Sequence, residues 1–338
     1  DDADSYDYGG DIDSFTVDAG TAADLTTYVS GTEVSVERLT DRAWTEVESG
    51  VTDTLFGVVE SATGLYAVGG SGKVIGRGGG SGRVVTSTGP TGGGNNLYGA
   101  ATTDGGATVW MAGGSGVLGR MDAETETIED LTAPKDKTTG WTDIGVAGPA
   151  GSERVLLTNG SGEVLRGTND DGTMTWEPAV KPGSGSTIRG VTSLSAQEWY
   201  VCDDNATVYR STDGGATWSS IGIDGAGVTL YDIDAVTAED ITVVGGSGRT
   251  YRYNGEVWTT RKLGGNSRYS VDREQDRGLL AGGSGQVFEK ELHGWELANE
   301  ETSVNVQGTL ITDDPDVPKV AVGGNGVVIE QSFVDPLY

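Results

Sequence analysis

Apolar residues along this chain fall in short runs broken by glycine-rich turns, and one combination recurs seven times: an apolar run, Gly-Gly-Ser-Gly or a near match, and a second apolar run. The four-residue cores begin at Gly69, Gly113, Asn159, Asp203, Gly245, Gly282 and Gly323, at spacings of 44, 46, 44, 42, 37 and 41 residues. That is the period of four-stranded propeller blades, longer than tetratricopeptide or ankyrin repeats and free of their helical patterning. Within one unit, Leu230–Thr237, Ile241–Val244, Thr250–Tyr253 and Val257–Thr260 show alternation or β-branched enrichment and are split by Gly, Asn and Asp turns, so each unit reads as a β-meander. The glycine-rich core falls between the second and third strands, where a tight hairpin demands the positive φ that Gly, and sometimes Asn, reaches at low cost. The fold class predicted is all-β: a seven-bladed β-propeller of four-stranded antiparallel blades.

The ends of the repeat predict how the ring closes. After the core at Gly323 only one strand, Val327–Ser332, remains, so the last blade lacks its fourth. Near the other end Ala43–Val47 reads as a fourth strand without its own first two, and pairing it beside Val327–Ser332 removes the open edges a propeller cannot leave unpaired. Closure by an N-terminal strand is the expectation. Val34–Leu39 reads as a third strand, an extra copy with no place in that ring and a hint of a partial eighth unit. Residues 1–27 lie outside the repeat, rich in Asp and without a basic residue, the composition of a disordered acidic arm. The domains expected are therefore an arm over 1–27 and a propeller over 28–338.

Composition narrows the partners. Of 338 residues, 51 are acidic and 22 basic, a net charge of -29, with Lys at 7 positions against Arg at 15. A phosphate-binding surface needs a basic field, so nucleic acid is excluded as a partner. Acidic excess with scarce Lys is the composition of proteins from salt-loving organisms. At molar salt the Debye length is about 3 Å, and the carboxylates' mutual repulsion is screened. No apolar run of eighteen or more residues marks a membrane helix. Cys202 is the lone cysteine, so no intrachain disulfide forms and the fold rests on packing and strand pairing.

A second signature follows the fourth core: Val208-Tyr209-Arg210, then Ser211-Thr212-Asp213-Gly214-Gly215-Ala216-Thr217-Trp218. This is an Asp-box, in which the Asp213 carboxylate folds back on turn amides, glycine takes the left-handed position and Trp218 anchors the hairpin between blades. Ser211, Asp213, Gly215, Thr217 and Trp218 are its structural residues. A decayed copy runs from Asn169 to Trp176, Trp258 and Trp295 hold the equivalent place in later units, and Asp104-Gly105-Gly106 is an ordinary turn. All four tryptophans, 176, 218, 258 and 295, are expected to be largely buried. The segment Trp199–Trp218 resembles the BNR-type (Asp-box) β-propellers, and within them the photosystem II assembly-factor-like group. In that group an arginine patch contacts a partner polypeptide, so the resemblance implies an assembly chaperone as one function.

Candidate chemistry is mostly refused. Asp-boxes also occur in sialidases, but no Arg-Ile-Pro-type opening precedes the first repeat, and no spacing selects a carboxylate pair for glycoside hydrolysis. His293 is the only histidine and sits in a turn ahead of Trp295, so neither a catalytic triad nor a zinc set can be assembled. The glycine cores have no following helix or Lys-Ser/Thr pair to cradle phosphate. Asp11 and Asp13 lack the Gly and distal Glu of a calcium loop. No catalytic residue, metal or cofactor is predicted.

One constellation remains. Arg77, Arg120, Arg166, Arg210 and Arg252 end the third strands, five or six residues after the core Ser or Asn, and repeat symmetry would set them on one rim to bind a carboxylate-bearing protein or glycan. The alternative is that each pairs with turn carboxylates of its own blade. The function expected is a non-catalytic interaction or structural module in a virion, cell-surface or appendage assembly of a halophile, outside the cell. The alternatives are a glycan-binding or glycan-cleaving propeller and an assembly chaperone. The acidic excess makes one prediction: thermal melts in dilute buffer and in molar KCl give a Tm that rises with salt. A Tm unchanged or lowered by salt contradicts the halophilic reading.

Overall fold

A strand of five or six residues with one apolar face is not stable alone, and this chain satisfies its strands by standing seven sheets face to face around an axis. The computed structural model describes residues 6–7, 25–30, 33–38, 42–78, 81–291, 294–300, 302–312 and 317–333. Six blades are continuous meanders of four antiparallel strands, over residues 55–86, 97–130, 141–176, 188–222, 230–262 and 268–299. The seventh takes Val306–Leu310, Lys319–Gly323 and Val328–Phe333 from the C-terminal part, and its fourth strand is Arg42–Val47. That strand pairs antiparallel with Val328–Phe333, Val47 opposite Val328 and Trp44 opposite Gln331, so the expected closure is observed. Trp44 is buried and its indole N–H donates to Glu289 Oε1 of blade 6 at 3.1 Å, fixing the closing strand to a second blade.

Tyr6–Asp7, Leu25–Ser30 and Glu33–Arg38 form a separate three-stranded antiparallel sheet with Glu33–Arg38 in the centre. The segment read from sequence as a stray third strand is thus the middle of this sheet and not part of an eighth blade.

Buried apolar residues resolve into seven clusters, one at each junction between neighbouring blades. Trp110, Leu118, Trp141 and Leu157 fill the junction of blades 2 and 3, and Leu156, Trp199, Val201 and Ile188 that of blades 3 and 4. The core is a ring of thin layers, which explains how 57 glycines and few large side chains suffice.

The glycine-rich cores lie between second and third strands as expected, and in five of them two successive residues are left-handed, the first of them not glycine. Ser71, Ser115, Ser247, Ser284 and Asn325 have φ between 54° and 59°, each followed by a glycine that is also at positive φ. In two blades an Asx side chain takes over the turn: Asn159 Oδ1 accepts from the Ser161 and Glu163 amides, and Asp203 Oδ1 from those of Asn205 and Thr207.

The tryptophan expectation needs correction. Trp176, Trp218, Trp258 and Trp295 are all half-buried, packed on the edges of the junction clusters. They sit on or beside the outermost strands, where one ring face meets a neighbouring blade and the other meets solvent. Trp258 shows the arrangement: its indole N–H donates to Ile221 O of the preceding blade at 2.7 Å. The fully buried indoles are Trp110, Trp141 and Trp199, on first and second strands. Trp199→Ala is accordingly expected to cost about 3–5 kcal/mol, the range for an emptied aromatic core site, and Trp218→Ala distinctly less. Urea melts of the two variants test this, and equal losses would contradict it.

Candidate functional site

Seven first strands converge on the axis and line a channel of about 870 Å³. A first strand pairs on one side only, with the second strand of its own blade, and in every blade that pairing contains a β-bulge one residue in from its start. The unpaired residues are Phe56, Tyr98, Thr142, Arg189, Tyr231, Tyr269 and Gln307, and all seven line the channel. A bulge bends its strand and re-aims the extra side chain. Here the repeat of that device sets a ring of side chains at one mouth of the channel.

The mouth opens on the face that carries the glycine-rich turns and the blade-to-blade connections, because first strands start and second strands end at that edge: Leu55 pairs with Gly69, Leu230 with Gly245. We call it the upper face. Phe56 and Tyr98 meet edge to face at 5.1 Å between centroids, and so do Tyr231 and Tyr269. Arg189 lies between the two pairs on one side, its guanidinium 6.0 Å from the centroid of the Tyr231 ring and 41% exposed. Its nearest carboxylate is Asp204 at 3.9 Å, the limit of an ion pair. Thr142 is occupied, donating from Oγ1 to Ile188 O at 2.5 Å.

Below the mouth, four half-buried aspartates hold neighbouring blades together. Asp143 accepts from the Val191 amide at 3.0 Å, Asp232 from Val271 at 2.9 Å, Asp234 from Arg273 at 2.7 Å and Asp272 from Ile311 at 2.8 Å. Each bond crosses to the next blade, joining first strands that have no backbone ladder between them. Glycine on the preceding blade makes the room: a Cβ on Gly99 would lie 2.6 Å from Asp143 Oδ1, and one on Gly190 3.0 Å from Asp232 Oδ1. Burial pushes the Asp143 carboxyl up to about 7. Burial first, then the neighbouring Asp143 charge, raises Asp232, and burial followed by Asp234 raises Asp272.

The sequence holds a trace of this site that was not read from it. The first strands open with Leu-Phe-Gly, Leu-Tyr-Gly, Trp-Thr-Asp, Ile-Arg-Gly, Leu-Tyr-Asp, Arg-Tyr-Ser and Val-Gln-Gly. The middle residue is the ring member, and the small or acidic third residue is the junction position.

The arginines proposed from the repeat lie toward the opposite, lower face and do not gather. Arg120 pairs with Glu129, Arg210 with Glu198 at 2.6 Å and Arg252 with Asp240 at 2.8 Å, each within its own blade. Arg166 stands over Gly215 of the next blade, and no carboxylate among the described residues lies within ion-pair distance of it. Arg77 is out of register with the others. It pairs opposite Leu65, whereas the position matching Trp110–Arg120 and Tyr200–Arg210 in blade 1 is Tyr66–Gly76. One residue of slip turns its side chain to the other sheet face, where it meets Glu330 of blade 7.

The Ser211–Trp218 turn forms as its sequence implies. The Asp213 carboxylate accepts from the Ala216 and Thr217 amides and from the Thr217 hydroxyl, at 2.6–3.0 Å, and the Gly215 amide donates to Ser211 Oγ at 2.9 Å. Trp218 closes the turn through its indole N–H on Gly215 O. The Thr217 bonds hold the Asp213 carboxyl down at about 2. The turn is exposed on the lower face and complete in itself. His293 lies outside the described residues, and among those described no group of His, Cys, Asp or Glu is arranged to hold a metal ion.

No protein-family model matches the chain, and no curated protein matches it in sequence. Solved structures match its fold. YCF48 bound to D1 peptide superposes with a TM-score of 0.68 at 14% identity, covering 86% of this chain and 95% of that one. The WD40 propeller domain of Doa1 gives 0.67 at 10%, covering 87% and 98%, and virginiamycin B lyase from Staphylococcus aureus 0.71 at 13%, covering 87% and 100%. At these identities the likeness is one of fold.

The raised Asp143 carboxyl has a measurable sign. Its folded pKa lies above the unfolded carboxylate range of about 4, so its contribution to stability is full below that range and lost as pH rises through about 7. Denaturant melts from pH 4 to 8 should show wild type losing stability relative to Asp143→Asn as pH rises. A difference independent of pH contradicts the burial argument.

Proposed function

We propose that the protein is a non-catalytic interaction module that holds a polypeptide partner on its upper face within a larger assembly. The observation that carries this is the bulge ring: seven blades each turn one side chain into the same mouth, and the set they deliver is aromatic, amide, hydroxyl and guanidinium. Such residues make contact surfaces, Tyr and Arg above all. The channel aspartates are the groups a glycosidase would need, and their oxygens are engaged by amides across the blade junctions. The same fold in YCF48 is seen bound to a peptide, which supports a polypeptide as the partner here.

We further assign the protein to the Asp-box propellers, on the strength of the Ser211–Trp218 turn. An extracellular, cell-surface or virion assembly of a halophile suits the charge of -29 and the scarcity of Lys. Affinity purification of the full chain from its native source tests the function. A stoichiometric partner retained by wild type and lost by the Tyr98→Ala/Tyr231→Ala double variant is the expected result. Hydrolysis of a glycoside that disappears on changing Asp232 or Asp272 would overturn the reading in favour of a glycan-cleaving propeller.

A further inference from the structure

The lysines of this chain are unevenly placed on the disc. Five of the seven lysines lie at the upper edge: Lys73 follows a glycine-rich turn, Lys135, Lys137 and Lys181 stand in blade-to-blade connections, and Lys262 ends an outer strand. The described hairpin turns of the lower face, such as 123–127, 148–153, 212–218 and 254–257, contain Asp and Glu but neither Lys nor Arg. Two of these five are already paired, Lys73 with Asp53 at 3.7 Å and Lys137 with Glu163 at 2.9 Å, and Asp136, Glu177 and Asp224 stand in the same connections, so the lysines do not make this face basic.

What singles out the mouth is the state of its one arginine, Arg189. The paired arginines of the lower half are bound by carboxylates of their own blades at 2.5–2.8 Å, whereas Arg189 reaches Asp204 only at 3.9 Å and keeps its forked donors turned to solvent. Beside it stand Tyr231 and Tyr269, a T-shaped pair half open to solvent. A planar guanidinium with free donors binds a carboxylate in bidentate fashion, and an aromatic pair next to it offers an apolar wall.

We propose that this mouth receives a polypeptide segment presenting a carboxylate next to an aromatic or aliphatic side chain, the carboxylate on Arg189 and the apolar group against Tyr231 and Tyr269. This rests on the interaction-module reading above and names the partner's chemistry for that site.

The test is to pan a random-peptide library against the full chain, then to measure the best peptide by fluorescence anisotropy. Enrichment of Asp or Glu beside an aromatic or aliphatic residue is expected. Arg189→Gln should weaken that peptide roughly tenfold or more, the loss of one charge-assisted bidentate pair, and Arg189→Lys only in part. Tyr231→Ala should weaken it while leaving the preference for an acidic residue intact. Both positions are at the open mouth, and circular dichroism melts confirm the fold of each variant. Enrichment of basic residues, or binding indifferent to Arg189, overturns the proposal. Displacement of the peptide by galacturonate with tighter binding of the sugar does so too, in favour of an acidic glycan. A native partner that stays bound to the Arg189→Gln and Tyr231→Ala variants defeats this inference alone, while a chain that retains no partner defeats the interaction-module reading with it.

Discussion

Every blade in this protein is stable only because it stands between two others. A single four-stranded sheet here has two apolar faces and little else. The seven clusters that bury those faces lie between blades and never inside one. A row of such sheets would leave an uncovered face at each end, and joining the ends removes both. The strand Arg42–Val47 does this by entering the last blade from the other side of the sequence, and Trp44 locks it by reaching into blade 6. Closure is therefore the condition for the core, in contrast to an open solenoid, whose terminal repeats need polar caps.

Closure also makes the site. Once seven first strands are forced around one axis, they cannot hydrogen-bond to one another as a sheet does, and side chains must bridge them. Four aspartates do so at three junctions through amides of the next blade, with Gly99 and Gly190 supplying the space beside Asp143 and Asp232. The bulge above this layer frees one residue per blade from pairing, and that residue can vary without disturbing the ladder. The ring accordingly runs from Phe to Arg to Gln while the preceding position is apolar in six blades and the buried Arg268 in the other, and the following position is small or acidic. Structure is carried by the layer of staples and binding chemistry by the layer above it.

Sequence conveyed what was periodic. The glycine-rich cores recur because the hairpin between second and third strands demands positive φ, so the blade count, the strand order and the closing partner of Val328–Phe333 could all be read. Burial of the tryptophans could not, since a position after a turn says nothing about whether the strand it begins is inner or outer. Arg77 misled for a related reason. Blade 1 has Lys73-Val74-Ile75-Gly76-Arg77 where blade 2 has Val117-Leu118-Gly119-Arg120, and the one extra residue reverses the side chain. The mouth stayed hidden because its seven members share a place and no residue type.

The claim that binding takes place at the upper mouth is tested most directly by site-specific photo-crosslinking in the full chain. Benzoylphenylalanine is placed in turn at Tyr98, on the mouth, and at Glu239, in a lower-face hairpin, and irradiated with the native partner bound. The account predicts a crosslinked partner from position 98 and none from position 239. Crosslinks arising from 239 with none from 98 would contradict it and move the binding surface to the opposite face.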